Sequence, residues 1–480
     1  MQIKKFLAPS ILPIALCAMF GLTACDSKSD TPSNPAGTEV LPPNPDVGGG
    51  NVGGGDVGGG NVGGTPTVTT YPALAPTASP LYAKATYDSW KPFHYVNMED
   101  EMVYYPDFAA DFSSVFEPAY LPAGRVIWSV QSTGMYRVQC QNEGTAKSAM
   151  KYRACTVSEG IGYGMLLTLV NEDYDAFNRL WNYSRAYRAY HGVNLTPWIT
   201  KSFMYDKIDI SSATDADLDI ATSLILQYFK NLAVAPDIAN LYLADALVIV
   251  KDIWDWEVEP NLLLLMSGDT DMWHDSDPTY NLSYFSPVAL RLFAMVDPTH
   301  NWAGVLDAMY AYMAKVQSLG TGVFPDWSNG AGIAVNPPNG AAGKTEATYT
   351  WHTFNKESVR IPWRIAWDYY WFQDPRALAI LTGLNNFIVA KSGGDPSSVA
   401  LAIQYSWDPA KSDYDKNTSV PAQWLAAWCA TGLGTNQTWL NACTQLVNAT
   451  TLGNNGTSYF TDILQALYSS LLNGKFVRPF

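Results

Sequence analysis

Apolar residues recur at helical spacing through most of the chain beyond residue 158. Amphipathic helices are predicted over 159–171, 173–190, 215–231, 237–255, 286–296, 300–318, 358–373, 375–391, 421–432, 436–449 and 458–473. These are eleven helices. A twelfth is expected between 121 and 139, and Val399–Gln404 fits either a strand or a helix. Three long stretches lack a period: 191–212, 256–284 and 319–356. Loops of this length inside a compact domain usually carry function. Each of them precedes an odd-numbered helix of the series, so the pattern gathers them at one end of a helical array. The fold class read from the pattern is all-α.

The first 74 residues do not share this pattern. Residues 1–25 place Lys4 and Lys5 before an apolar core that runs to Phe20, with no acid, as a signal peptide does. The apolar run is too short for a membrane-spanning helix. Leu22-Thr23-Ala24-Cys25 resembles the processing box of bacterial lipoproteins, which implies cleavage before Cys25 and a lipid anchor on its sulfur. Residues 26–74 are expected to form a tether without structure. Their centre repeats Asp/Asn-Val-Gly-Gly-Gly between Val47 and Gly64, and such a chain reaches about 35–40 Å. The remaining 75–480 has one composition throughout and reads as one domain.

Charge narrows the partners. The formal net charge is −15, and loss of Lys4 and Lys5 with the leader takes it to −17. This argues against nucleic acid and against direct contact with anionic lipid, leaving the anchor as the only link to a membrane. A monomer is expected. Seventeen Trp and 28 Tyr exceed what a core needs and suit stacking on sugar rings, although packing claims most of them. Beyond Cys17 and Cys25, the cysteines fall as two local pairs, Cys140/Cys155 and Cys429/Cys443. Export favours disulfides, and short loops favour the local pairing. No metal or cofactor is expected, since no C-x2-C spacing exists and the histidines are scattered.

Two helix starts carry acids. In Thr156-Val157-Ser158-Glu159-Gly160-Ile161-Gly162-Tyr163-Gly164, Ser158 is the expected N-cap. Three glycines in five residues weaken a helix unless something approaches its backbone closely. Glu159 and Tyr163 would then face a ligand, or Glu159 would only offset the helix dipole. Fifty-six residues on, Asp215-Ala216-Asp217-Leu218-Asp219 puts Asp215 and Asp219 on one face and Asp217 elsewhere. Two carboxyl-bearing helix starts match the needs of glycoside hydrolysis.

These two stretches resemble the acid motif and the signature of family 8 of the glycoside hydrolases, a family of inverting endoglucanases, xylanases and chitosanases. The signature departs near its end, at Gln227. The resemblance implies an (α/α)6 barrel, which paired helices fit. It implies Glu159 as the acid and Asp215 as a residue that holds the sugar at the cleavage subsite, with Asp217 and Asp219 as supports. For the base, many members carry Tyr-Asp-x-x-Arg-x-Pro-Trp-Arg. Here the stretch reads Lys356-Glu357-Ser358-Val359-Arg360-Ile361-Pro362-Trp363-Arg364, which puts Glu357 at the base position. Another branch takes its base from the preceding loop, where Glu346 lies; Asp326 is a third candidate. Spacing to Arg360 favours Glu357. The resemblance also places Trp198, Trp273, Tyr284, Trp363 and Tyr459 along a sugar-binding cleft, with Arg360 as a clamp. It implies a secreted, surface-tethered endo-β-1,4-glucanase. The alternatives are a xylanase, lichenase or chitosanase of the same family, or a glycan-binding lipoprotein without activity.

Overall fold

The computed structural model describes residues 71–104, 118–128, 155–200, 209–270, 273–274, 278–337, 350–414, 419–452 and 458–480. The leader, the Gly-rich repeat, Cys25, Cys140 and Glu346 lie outside the described residues. Thirteen helices are present among the described ones: α1 (Pro80–His94), α2 (Met98–Tyr104), α3 (Ser158–Val170), α4 (Tyr174–His191), α5 (Thr214–Asn231), α6 (Pro236–Glu257), α7 (Pro287–Val296), α8 (Trp302–Leu319), α9 (Ile361–Phe372), α10 (Pro375–Ser392), α11 (Ala422–Ala430), α12 (Gln437–Ala449) and α13 (Tyr459–Leu472).

Their packing closes a ring. Helices α3, α5, α7, α9, α11 and α13 each touch the next, and α13 returns to α3. Outside them, α4, α6, α8, α10 and α12 each pack on the inner helix they follow, and α1 packs on α13. This is an (α/α)6 barrel. Inner helices are enclosed on all sides, and α3 shows the consequence: every residue from Ser158 to Leu169 except Glu159 is buried. Outer helices keep one wet face, which explains why their boundaries read so clearly from the periodicity.

The twelfth barrel helix is α1, not a helix at 121–139. Gly124–Val126 is instead a strand, β2, paired antiparallel with β1 (Tyr95–Asn97), and residues 129–139 are not described. The buried stripe of α1 is Ala83, Tyr87, Trp90 and His94. That i, i+4, i+7, i+11 spacing is helical, but a lone alanine with aromatic and polar residues gives a weak apolar signal. Tyr71, grouped with the tether by composition, stacks on Tyr370 at 4.6 Å and accepts a hydrogen bond from the Arg478 backbone at 3.0 Å. Val399–Ala402 forms a 3-10 turn.

The three aperiodic stretches do lie at one end, before α5, α7 and α9, and they contain short strands. A three-stranded antiparallel sheet runs β3 (Thr156–Val157), β4 (Pro197–Thr200), β5 (Asp209–Ser212), with Val157 opposite Ile199 and Pro197 opposite Ser212. Strand β3 leads directly into α3 and β5 into α5, so one sheet sets the two acidic helix starts side by side. Strands β6 (Val258–Glu259) and β7 (Leu264–Leu265) form a hairpin, and β8 (Thr279–Tyr280) pairs with β9 (Ser328–Asn329).

Ser158 is not the cap of α3. It is the first helical residue, and its buried hydroxyl has no hydrogen-bond partner among the described residues. The close approach that the glycines permit is made by protein, not by a ligand. A Cβ on Gly162 would lie 2.9 Å from Asp219 Cβ and 3.1 Å from the Ala216 carbonyl, and one on Gly160 would lie 3.1 Å from Tyr459 Oη. Glycine therefore lets α5 and α13 close on α3. Cys429 and Cys443 form the expected disulfide between α11 and α12, with Cα atoms 5.4 Å apart. Cys155 is buried and disulfide-bonded.

Candidate active site

Four of the expected side chains meet at Arg360, which sits in the 3-10 turn Ser358–Arg360 just before α9. Its Nη1 donates to Glu159 Oε2 and, at 3.0 Å, to Asp215 Oδ2; its Nη2 donates to Glu357 Oε2. One guanidinium thus gathers three carboxyls from α3, α5 and the start of α9. Beneath it lies the Tyr284 ring, whose centroid is 5.3 Å from the guanidinium carbon, close enough for a cation–π contact. Tyr459, first residue of α13, donates its hydroxyl to Glu159 Oε1 at 2.8 Å.

Exposure separates the roles. The Glu159 and Glu357 side chains keep 16% and 24% of their surface accessible, whereas Arg360 keeps 4% and Asp215 1%. Only the first two can meet an incoming molecule directly. Burial pushes the Glu159 carboxyl up; Arg360 and the Tyr459 hydrogen bond pull against this, and the Glu357 charge adds to the rise. Burial also pushes Asp215 up to about 8, opposed by Arg360 and reinforced by Glu159. Burial thus raises two of the three carboxyls that share Arg360, and Glu357, the third, is the most exposed of them. Glu357 Oε2 also accepts from Asn281 Nδ2 at 2.8 Å.

Asp219 and Asp217 support the site from behind. Asp219 forms a two-pronged pair with Arg364, donated by Nη1 and by Nη2, the latter at 2.8 Å. Asp217 is fully buried and accepts from the Thr196 backbone at 2.8 Å, which ties α5 to the first part of the 191–212 stretch. Its burial raises its carboxyl well above the usual range. It does not face the group at Arg360. Asp326 is fully buried, and its Oδ1 accepts four hydrogen bonds from residues 355–358.

Two expected cleft aromatics are core residues. Trp363 has no exposed surface and stacks on Trp367 at 5.3 Å; Tyr163 is equally buried and meets Trp363 edge-on at 6.2 Å. Both side chains lie on the inner ring, where helix packing takes them. Trp273 and Trp198 are half-buried. Trp273 lies parallel to Trp327 with centroids 5.6 Å apart, and Trp198 meets Trp128 edge-on at 6.2 Å. Asn281 was not singled out from the sequence. Its signal is weak, since it is one polar residue in a long aperiodic stretch that tertiary contacts bring to Glu357.

Comparison with known proteins finds a family match and several relatives. The family described as glycosyl hydrolases family 8 matches residues 137–464. Endoglucanase 2 of Ruminiclostridium josui is 31% identical over 232 residues, which is 48% of this chain and 46% of that protein. Beta-glucanase of Niallia circulans is 29% identical over 353 residues, covering 69% of this chain and 80% of its own. The chain spans about half the length of the first of these relatives. Among solved structures, the apo β-1,3-1,4-glucanase from Paenibacillus sp. X4 superposes with a TM-score of 0.64 at 23% identity, over 85% of this chain and 97% of that one. Rex8A from Paenibacillus barcinonensis with xylose gives 0.54 at 18% identity, over 78% and 94%. These two likenesses concern the fold.

Proposed function

Because the chain belongs to family 8 of the glycosyl hydrolases, we propose that it hydrolyses β-1,4-linked polysaccharide with inversion, as an endo-β-1,4-glucanase. The observation that carries this reading is the Arg360 cluster, in which one buried cation holds three carboxyls and only Glu159 and Glu357 reach the surface. An inverting mechanism needs one protonated and one ionised carboxyl, far enough apart to admit water. Glu159, held up by burial, gives its proton to the leaving glycosidic oxygen. Glu357 takes a proton from water as that water attacks the anomeric carbon from the other face. Asp215 anchors Arg360, which holds Glu159 and Glu357 in place, and Tyr459 aims the Glu159 carboxyl. Polysaccharide is the only substrate partner this reading needs, and the chain acts as a monomer without cofactor.

Relatives named endoglucanase and beta-glucanase support glucan as the polymer. The test is proton NMR of the first products from carboxymethylcellulose, lichenan, xylan and chitosan. Glucans should be cut, with the α-anomer appearing first. Appearance of the β-anomer, or cutting confined to xylan or chitosan, would overturn the reading. For the base, Glu357→Gln should abolish turnover while Glu346→Gln keeps most of it; the reverse pattern would move the base to the loop.

The leader and repeat complete the proposal. The sequence of residues 1–25 supports export, and Cys25 supports a lipid anchor in a bacterial membrane. Residues 26–70 then space the barrel from it. Cys25→Ser should move the protein from the membrane fraction to the soluble one with unchanged kcat on soluble substrate. A large loss of kcat would show that the spacer does more.

A further inference from the structure

We propose that Asp326 is a positioning residue for Glu357, holding the main chain that presents the base. The inference rests on Glu357 being that base. Asp326 lies in Phe324-Pro325-Asp326-Trp327, in the stretch after α8, and is fully buried. The turn Ser358–Arg360 has no cap of its own: Glu357, at the cap position, makes no side-chain cap hydrogen bond. Asp326 supplies one from 29–32 residues away. Its Oδ1 accepts from the backbone N–H of Asn355 at 3.2 Å, Glu357 at 3.1 Å and Ser358 at 3.0 Å, and from Ser358 Oγ at 2.9 Å. Ser358 Oγ accepts in turn from the Asn355 backbone at 2.8 Å.

The same segment also controls the side chain of Glu357. Two residues beyond Asp326, Ser328 pairs with Tyr280 in β8–β9, and the next residue, Asn281, donates to Glu357 Oε2 at 2.8 Å. Residues 326–329 therefore fix Glu357 at both ends, by its N–H through Asp326 and by its carboxylate through Asn281. A glutamate has three rotatable side-chain bonds, so its reach is set only if its backbone is pinned. A misplacement of about 1 Å in a reacting group costs on the order of 100-fold in rate.

The experiment uses the full-length protein and β-cellobiosyl fluoride, whose leaving group needs no proton from Glu159. Asp326→Asn should lower kcat roughly 10- to 100-fold with KM within twofold. Ser358→Ala should show a smaller fall with the same split, and it decides the matter alone should Asp326→Asn not fold. The discriminating arm is Glu357→Ala with added azide, where attack on the anomeric carbon needs no base. There, adding Asp326→Asn, or Ser358→Ala in its place, should change the rate less than twofold. A full loss in that background would mean that the substitution only damages the barrel, and the proposal would fall. It would fall equally if the single variants kept kcat within twofold of wild type. It would also fall if azide rescued Asp326→Ala to the inverted glycosyl azide, since Asp326 would then be the base. Failure of the function itself shows separately, as wild-type enzyme giving retained product or none.

Discussion

Tyr459 illustrates how one hydroxyl tunes the reaction. Its hydrogen bond to Glu159 favours the ionised carboxylate, against the upward push of burial. Tyr459→Phe removes the donor, so the Glu159 carboxyl should rise further. The acid form then persists to higher pH, and the alkaline limb of kcat on lichenan should move up by about one unit. A pH–rate profile with a limb that stays put, or moves down, would contradict the assignment of that limb to Glu159. Glu159→Gln probes the same atom more severely. It should abolish cutting of polysaccharide yet leave turnover of β-cellobiosyl fluoride within about tenfold, because only the first needs a proton donor. Equal loss on both substrates would reduce Glu159 to a helix-start acid.

At the scale of elements, the α3–α5 contact is set by a missing side chain. Gly162→Ala places a methyl 2.9 Å from Asp219 Cβ and 3.1 Å from the Ala216 carbonyl. The carbonyl is backbone, so α5 must shift. Overpacking costs about 1–3 kcal/mol, and the better helix propensity of alanine returns up to about 1 kcal/mol. A net loss of about 1–2 kcal/mol is expected in urea unfolding. The control is Gly330→Ala, which meets nothing within 4 Å and should stay within about 0.5 kcal/mol. Asp219 also joins α5 to α9 through its pair with Arg364, fully buried on both sides. Asp219→Ala leaves Arg364 without its carboxylate and should cost about 3–5 kcal/mol in the same assay.

For the whole molecule, the barrel encloses several carboxyls among the described residues. Burial raises Glu159, Asp215, Asp217, Asp219, Glu257 and Asp368, although Arg360, Arg364 and Arg291 pull several of them back. A carboxyl raised by folding binds its proton more tightly in the native state. Its contribution is present below the unfolded value near 4 and is lost as pH rises through the folded one. Asp173, Asp297 and Asp374 are lowered by their hydrogen bonds despite burial, and theirs is lost as pH falls below about 4. Stability should therefore peak on the acid side of neutrality. Between pH 5 and 8 the urea midpoint should fall, and Asp215→Asn should flatten part of that fall, by roughly 2–5 kcal/mol in unfolding free energy. A midpoint that rises over this range would show that the ion pairs, not burial, govern these groups.

The sequence by itself determined the helices and most of their order. Eleven were legible, the outer ones because they bury an apolar stripe at a period of 3.6, the inner ones because they are long, largely apolar runs. The twelfth was misplaced, since α1 buries aromatic and polar residues that no apolar pattern marks. Glu159 and Asp215 stand out as acids at helix starts, whereas Glu357 and Arg360 are marked by the resemblance to family 8. The tertiary structure alone decided which of the marked residues meet. Trp363 and Tyr163 share motifs with acids of the site, yet the helix turn carries them into the core. Asn281 and Asp326 sit in loops without a period, 76 and 31 residues before Glu357, and contacts between those loops, the pairing of β8 with β9 among them, bring them to it. Local patterns record what a residue must be for its own element. Contacts across the barrel depend on how the loops close, and no local pattern encodes that closure.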